Sequence, residues 1–136
     1  MNTKTFVLAP KALVRDACGR YLFLRRSARS KHFAHCWEMP GGKMDRGEII
    51  DQNLRHEVFE ETGLRITSLR VAGAAEGEIE QYRLAYLFFH VEAAPGEVVF
   101  SDEHDAFIWA NAEEATRLEL CPALVEFVRG LYGNET

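Results

Sequence analysis

Apolar residues gather along this chain in runs of strand length. Residues 5–15 are rich in Val, Leu and Phe, and residues 21–26 form a second apolar run. The turn-like Asp16-Ala17-Cys18-Gly19 between them predicts a hairpin. Pro10 interrupts the first run and suggests a sheet edge or a bulge there, because proline has no N–H to give to a ladder. Residues 27–36 are polar and basic and read as a loop, and Pro40-Gly41-Gly42 stops regular structure just after Trp37. Residues 50–62 have helical composition, with Gly63 at the C′ position, where a left-handed conformation costs glycine least. Strand patterns follow at 64–73, 82–92 and 106–110. Two helices close the chain, a short one from about Ala112 and one over 122–131 with Pro122 at its first position. No internal repeat, low-complexity tract or linker breaks this order. Several strands with one central and one terminal helical region predict a mixed α/β or α+β sandwich, a single domain over residues 1–136.

Composition sets bounds on this picture. An apolar content of 47% is enough for a core without disulfide or metal staples. No apolar run approaches the ~18 residues of a membrane span, and the N-terminus lacks the long apolar stretch of a signal peptide. Cys18, Cys36 and Cys121 are an odd number at unrelated spacings, which fits a reducing compartment better than a disulfide framework. The expectation is a soluble, cytoplasmic protein, monomer or homodimer, with no membrane and no nucleic-acid polymer as partner. The net charge of −5 supports the last point, since binding to such a polymer draws on neutralised phosphates. That charge is segregated. Residues 1–37 carry eight cations and one acid, residues 38–61 three and seven, and residues 62–136 five and thirteen.

The acidic middle lies on the predicted helix. At ~100° per residue, Leu54 and Val58 fall beside Ile50 as a narrow apolar stripe. Glu61 falls between Ile50 and Leu54, with Glu57 next to it and Glu60 on the flank. Such a placement is costly: Glu57 and Glu61 are a like-charge i,i+4 pair, and partial burial adds a desolvation penalty. A merely solvated acidic face does not put a glutamate inside the apolar stripe. No lysine or arginine stands one turn away on that arc, since Arg55 projects elsewhere. Clustered hard oxygen donors suit Mg²⁺ or Mn²⁺, which often bridge carboxylates to substrate phosphates.

Gly42, five residues, Glu48, seven residues and then His56-Glu57-Val58-Phe59-Glu60-Glu61-Thr62-Gly63-Leu64 resemble the Nudix box, GX5EX7REUXEEXGU with U apolar. Every specified position matches but one, where His56 stands in place of arginine. The leading Trp37-Glu38-Met39-Pro40-Gly41 is similar to the approach to the box in many members. The resemblance implies an α/β/α sandwich around a mixed β-sheet and hydrolysis of nucleoside diphosphates linked to another moiety. It implies Glu57, Glu60 and Glu61 as ligands of Mg²⁺, with Mn²⁺ as the alternative, joined by the backbone carbonyl of Gly41 or Gly42, and Glu48 as a supporting or additional metal-site carboxylate. The chemistry agrees: attack on a pyrophosphate linkage needs its charge neutralised and a carboxylate to take the proton from water. The base in this family is sometimes a box glutamate and sometimes one on a later loop. Glu103, in Ser101-Asp102-Glu103-His104-Asp105, is the late-loop candidate, with a solvated acidic turn as the alternative. The family arginine orients the box carboxylates; the shorter His56, near Glu60, is expected to position Glu60 or Glu48 less firmly and to give a slower enzyme.

Arg25, Arg26, Arg29 and Lys31 place four cations in seven residues just before the box. They are either a solvated loop or partners for phosphates opposite the metals. Phe33, Trp37, Tyr82, Phe89 and Trp109 are core residues or a stacking platform for a base. His32, His35 and Cys36 cluster locally but have no matched second set, which falls short of a zinc site. Residues 37–43, ending in Lys43, are similar to the MutT-like branch, which cleaves nucleoside triphosphates, oxidised ones included, to monophosphate and pyrophosphate. The short chain is expected to lack the extra N-terminal domain of many ADP-ribose-cleaving relatives. Tyr82 lies near where dinucleoside-polyphosphate hydrolases carry a tyrosine. The triphosphate reading is preferred; dinucleoside polyphosphates, ADP-ribose or nucleotide sugars are the alternatives. A nucleotide-binding module weakened or silenced by His56 is the alternative of another class.

Overall fold

Alternation along three strands divides their side chains between two cores. The computed structural model describes residues 4–135. Its strands are β1 (Thr5–Arg15), β2 (Tyr21–Arg26), β3 (Trp37–Glu38), β4 (Ile66–Glu78), β5 (Tyr82–Ala93) and β6 (His104–Ala110). Its helices are α1 (Ile50–Thr62), α2 (Ala112–Ala115) and α3 (Val125–Glu135), the last preceded by a 3-10 turn at Pro122–Leu124. Ala12 and Val14 of β1, Leu22 and Leu24 of β2, and Phe89 and Val91 of β5 point to one face, where Leu54 and Val58 of α1 cover them. Leu13, Tyr21, Phe23 and Phe88 point to the other, against Ala112, Ala115 and Val128 of α2 and α3. This is the expected sandwich of helices on both faces of a mixed sheet. Among the described residues the order is β3-β2-β1-β5-β4, with β6 also paired to β2. β1 and β5 run parallel and the other pairs are antiparallel.

Pro10 lies in the middle of this sheet, opposite Leu87 of β5, and not at an edge. β1 and β2 pair at Arg15↔Tyr21 and then part. The chain after β3 enters the gap: Ala12 N–H donates to Pro40 O at 2.8 Å, and Met44 N–H to Leu8 O at 2.9 Å. Main-chain groups alternate sides along a strand, so Pro10 shares the direction of Leu8 and Ala12 and its missing N–H falls outside the β5 ladder. The split in the sheet is what admits the Gly41-Gly42 turn into the centre of the molecule.

Several boundaries differ from the pattern along the chain; β4 starts at Ile66 and not at Leu64, and the last helix runs to Glu135 and not to Leu131. β4 continues past Gly73 to Glu78, because its two glycines make room instead of ending the strand. A Cβ at Gly73 would stand 3.0 Å from the Phe127 ring and one at Gly77 2.9 Å from the Tyr86 ring. β6 begins two residues early, at His104. The last helical segment starts as a 3-10 turn at Pro122 and becomes α-helical only from Val125. Helix α1 has the expected bounds, and Gly63 caps it at φ 75°, its N–H on Phe59 O at 2.8 Å.

Candidate active site

Gly41 is the centre of the site. Its φ of +129° and the 2.2 Å that would separate a Cβ from Pro10 O admit only glycine. This close approach aims its N–H at Oε1 of Glu61, 3.1 Å away, and its carbonyl at Nζ of Lys11, 2.9 Å away. Glu61 is only 5% exposed, as its place in the apolar stripe of α1 requires. Burial pushes its carboxyl up to about 8; the Lys11 ammonium opposes that rise and the Glu38 carboxylate adds to it. Glu57, one turn earlier, is half-buried, with Oε2 beside Gly42, and burial raises it as well. Glu57, Glu61, Gly41, Gly42, Lys43 and Glu103 all line one cavity of about 190 Å³. Glu103 therefore comes from the far loop to face the acidic helix, and its charge contributes to the raised Glu57.

Beneath them lies a buried ionic cluster that inspection of the sequence did not single out. Glu38 receives Lys11 Nζ at 3.1 Å, Arg26 Nη1 at 3.1 and 3.2 Å on its two oxygens, and His104 Nε2 at 2.8 Å. Burial disfavours its ionisation, but the charge of Lys11, the His104 hydrogen bond and Arg26 outweigh this and pull it down to about 2. Lys11 loses hydration by burial yet is held above its usual value by Glu38 and Glu61. The sequence signal was a charge inside each of two apolar stretches, Lys11 in β1 and Glu38 between Trp37 and Met39. Tyr86 and Cys121, also on the cavity, carried no such signal.

Of the remaining candidates, Arg26 and Phe33 line the cavity and the others lie outside it or on its rim. Glu60 is exposed and stands 3.8 Å from Nε2 of His56, itself exposed. Glu48 accepts Asp45 N–H at 2.6 Å and the Asn53 amide at 3.3 Å, and these bonds hold its carboxyl low. These bonds fasten the chain entering α1, and the Glu48 charge is close enough to Glu57 to add to the rise of its carboxyl. Arg26 reaches the cavity but is tied to Glu38 and to His32 O at 2.9 Å. Arg25 and Arg29 pair with Asp105 and Asp102, each at 2.7 Å, in exposed pairs of little energetic weight. Lys43 sits 5.2 Å from the Tyr82 ring, which puts Tyr82 at the rim. Among the five aromatics proposed for stacking, Phe33 lines the cavity. Phe89 is core, and Trp109 and Trp37 pack against the two cores.

The donors facing the cavity are hard oxygens, carboxylate and backbone carbonyl, and this chemistry fits Mg²⁺ or Mn²⁺. Glu57 and Glu61 already share the cavity, whereas assembling all three box glutamates on one ion requires Glu60 to leave His56. Among the described residues, no three His, Cys, Asp or Glu side chains stand close enough to hold an ion as placed, and this includes the His32, His35 and Cys36 cluster.

A family model described as the NUDIX domain matches residues 5–131. The nucleoside triphosphatase NudI of Enterobacter sp. (strain 638) is 32% identical over 113 residues, which cover 75% of this chain and 80% of that protein. NudI of Salmonella agona is 28% identical over the same share of both. Among solved structures, a MutT protein from Methanosarcina mazei Go1 superposes with a TM-score of 0.91 at 26% identity, covering 100% of this chain and 99% of that one. A C. elegans Ap4A hydrolase shares the fold at a TM-score of 0.72 and 22% identity, over 95% and 97% of the two chains.

Proposed function

The chain belongs to the Nudix family and is a Nudix hydrolase, and from this premise we propose that it hydrolyses a nucleoside triphosphate to the monophosphate and pyrophosphate with Mg²⁺ or Mn²⁺. The observation that carries the reading is the shared cavity of Glu57, Glu61, Glu103 and the Gly41-Gly42 backbone. The NudI relatives, named as nucleoside triphosphatases, and the MutT-like fold neighbours support the substrate class.

Glu57 and Glu61, with Glu60 once it swings in, and the carbonyl of Gly41 or Gly42 would hold the ions. One lone pair of Gly41 O is already taken by Lys11. Bound divalent cations would neutralise polyphosphate charge and acidify water. Glu103, exposed at the cavity and opposite Glu57, takes the proton from the attacking water. Arg26 and Lys43 meet phosphate oxygens, Lys43 as a point charge from the rim over Tyr82. Arg25 and Arg29 join them by exchanging Asp105 and Asp102 for substrate. Phe33 offers an apolar ring to the base.

The test is a panel of nucleoside triphosphates, oxidised triphosphates, dinucleoside polyphosphates, ADP-ribose and nucleotide sugars, with Mg²⁺, Mn²⁺ or chelator. Pyrophosphate and phosphate release are measured separately. Metal-dependent pyrophosphate release, fastest from a triphosphate, is the expected outcome. Faster cleavage of a dinucleoside polyphosphate or of ADP-ribose would overturn the substrate assignment.

A further inference from the structure

Glu103 lies in a turn, closed by His104 N–H on Ser101 O at 3.2 Å, that leads directly into β6. Ser27 N–H donates to Glu103 O at 3.0 Å and Ser101 Oγ accepts Glu103 N–H at 3.4 Å, but Glu103 itself and both its acidic neighbours, Asp102 and Asp105, are exposed. The neighbour on its C-terminal side is the exception. His104 is 3% exposed and places Nε2 2.8 Å from Oε2 of Glu38. A β-bulge accompanies this placement: β6 pairs Ala106 with Arg25 and then His104, not Asp105, with Arg26. His104 is buried and its two acidic neighbours, Glu103 and Asp105, are exposed, at a bulge of the kind often found beside sites.

The chemistry of the contact is defined by what surrounds it. His104 Nδ1 is buried and has no hydrogen-bond partner among the described residues. With the proton on Nε2, the ring donates to Glu38 and leaves only a lone pair unmatched at Nδ1. The other tautomer would set a lone pair against a carboxylate and bury an unpaired N–H. Glu38 is in turn fixed by Lys11, whose Nζ also holds Gly41 O, and Gly41 N–H holds Glu61. A continuous set of hydrogen bonds thus runs from His104 through Glu38, Lys11 and Gly41 to Glu61 on α1.

We propose that His104 is a positioning residue, which sets Glu103 at the proper distance from the acidic helix by tying its loop to the buried Glu38 carboxylate. The inference rests on the reading of Glu103 as the group that takes the proton. Glu38 then has two tasks: it pairs with Lys11 and Arg26, and it serves as the common anchor of both halves of the site.

Steady-state kinetics of His104→Gln, His104→Asn, His104→Leu and Glu103→Gln, alone and combined, tests this on the full chain with Mg²⁺ and a triphosphate substrate. Glutamine can place an amide N–H near the Nε2 position; asparagine is one bond shorter and leucine has no donor. The expected result is a kcat loss of roughly ten- to a hundredfold for His104→Asn and His104→Leu with KM little changed, and retention of most of kcat in His104→Gln. In the Glu103→Gln background the His104 substitutions should cost almost nothing further, because the group they position is already gone. Thermal midpoints separate these effects from unfolding, and the Gln/Asn pair decides the matter if His104→Leu does not fold. Equal kcat for His104→Asn and wild type, or the same loss in both backgrounds, overturns the inference while leaving Glu103 in place. Wild-type kcat in Glu103→Gln instead removes the base assignment, and the positioning role with it.

Discussion

The carboxylate of Glu61 and the backbone N–H of Gly41 meet at 3.1 Å, joining the helix of the box to the turn that precedes it across the split between β1 and β2. One oxygen of a buried acid is thereby spent on structure. Glu57, more open and one turn away, is freer to change partners. Glu57→Gln is expected to keep the fold and lower kcat at least about a hundredfold, since several kcal/mol of charge stabilisation depend on the ligands. Activity within a few-fold of wild type, measured at saturating Mg²⁺, would refute its assignment as a ligand.

The metal-free protein should lose stability as pH rises through neutrality. Glu61 binds its proton more tightly folded, at about 8, than in the unfolded chain near 4.5, so its penalty is absent below 4.5 and complete above 8. Glu38 acts in the opposite sense at low pH: held at about 2, its contribution disappears as pH falls from 4.5 towards 2. Thermal midpoints in chelator should therefore peak near pH 5. Glu61→Gln should flatten the decline from pH 5 to 8, and divalent cation should reduce it, because metal and proton compete for the same oxygen. A decline unchanged by Glu61→Gln would rule out this origin.

Breaking the buried cluster should cost far more than breaking a surface pair. Lys11→Met removes the ammonium shared by Glu38 and Gly41 O and leaves both buried acceptors short of a partner. A loss of about 3–5 kcal/mol in chemical denaturation is expected. Arg29→Met, which opens the exposed pair with Asp102, should change stability by less than about 1 kcal/mol.

Gly41→Ala should be among the most damaging single substitutions. Its Cβ would fall 2.2 Å from Pro10 O in a left-handed conformation, so the turn has to leave the sheet. Destabilisation above about 3 kcal/mol and loss of activity together are expected. A folded, active Gly41→Ala enzyme would show that the close approach to β1 is dispensable.

His56 lies 3.8 Å from Glu60, beyond hydrogen-bonding distance. An arginine there would carry a permanent charge and a longer reach. His56→Arg is expected to raise kcat across pH 6 to 9, and equal or lower activity throughout that range would show that histidine is no handicap.

The helix bounds, the cap at Gly63, the burial of Glu61 and the family were all legible along the chain. Each depends on local periodicity or on residue types at fixed spacing, and such information is contained in the order of residues. The continuation of β4 through Gly73 and Gly77 was hidden because the reason lies in other segments: Phe127 and Tyr86 occupy the space a side chain would fill. The tie between Lys11 and Glu38 was hidden for the same reason. A charge in an apolar run signals only that some partner exists, and the partner here is 27 residues away.

What the sequence alone determined is therefore the chemistry available: three glutamates on one helix, a glycine turn before it and an acidic loop after it. Tertiary structure decided which of these groups meet. The parting of β1 from β2 lets Gly41 reach Glu61, and the pairing of β6 with β2 sets His104 on Glu38 and Glu103 on the cavity that Glu57 also lines. Periodicity assigns a side chain to a face of its own element. Distances between elements follow from how the sheet twists, splits and packs, and these are properties of the whole chain.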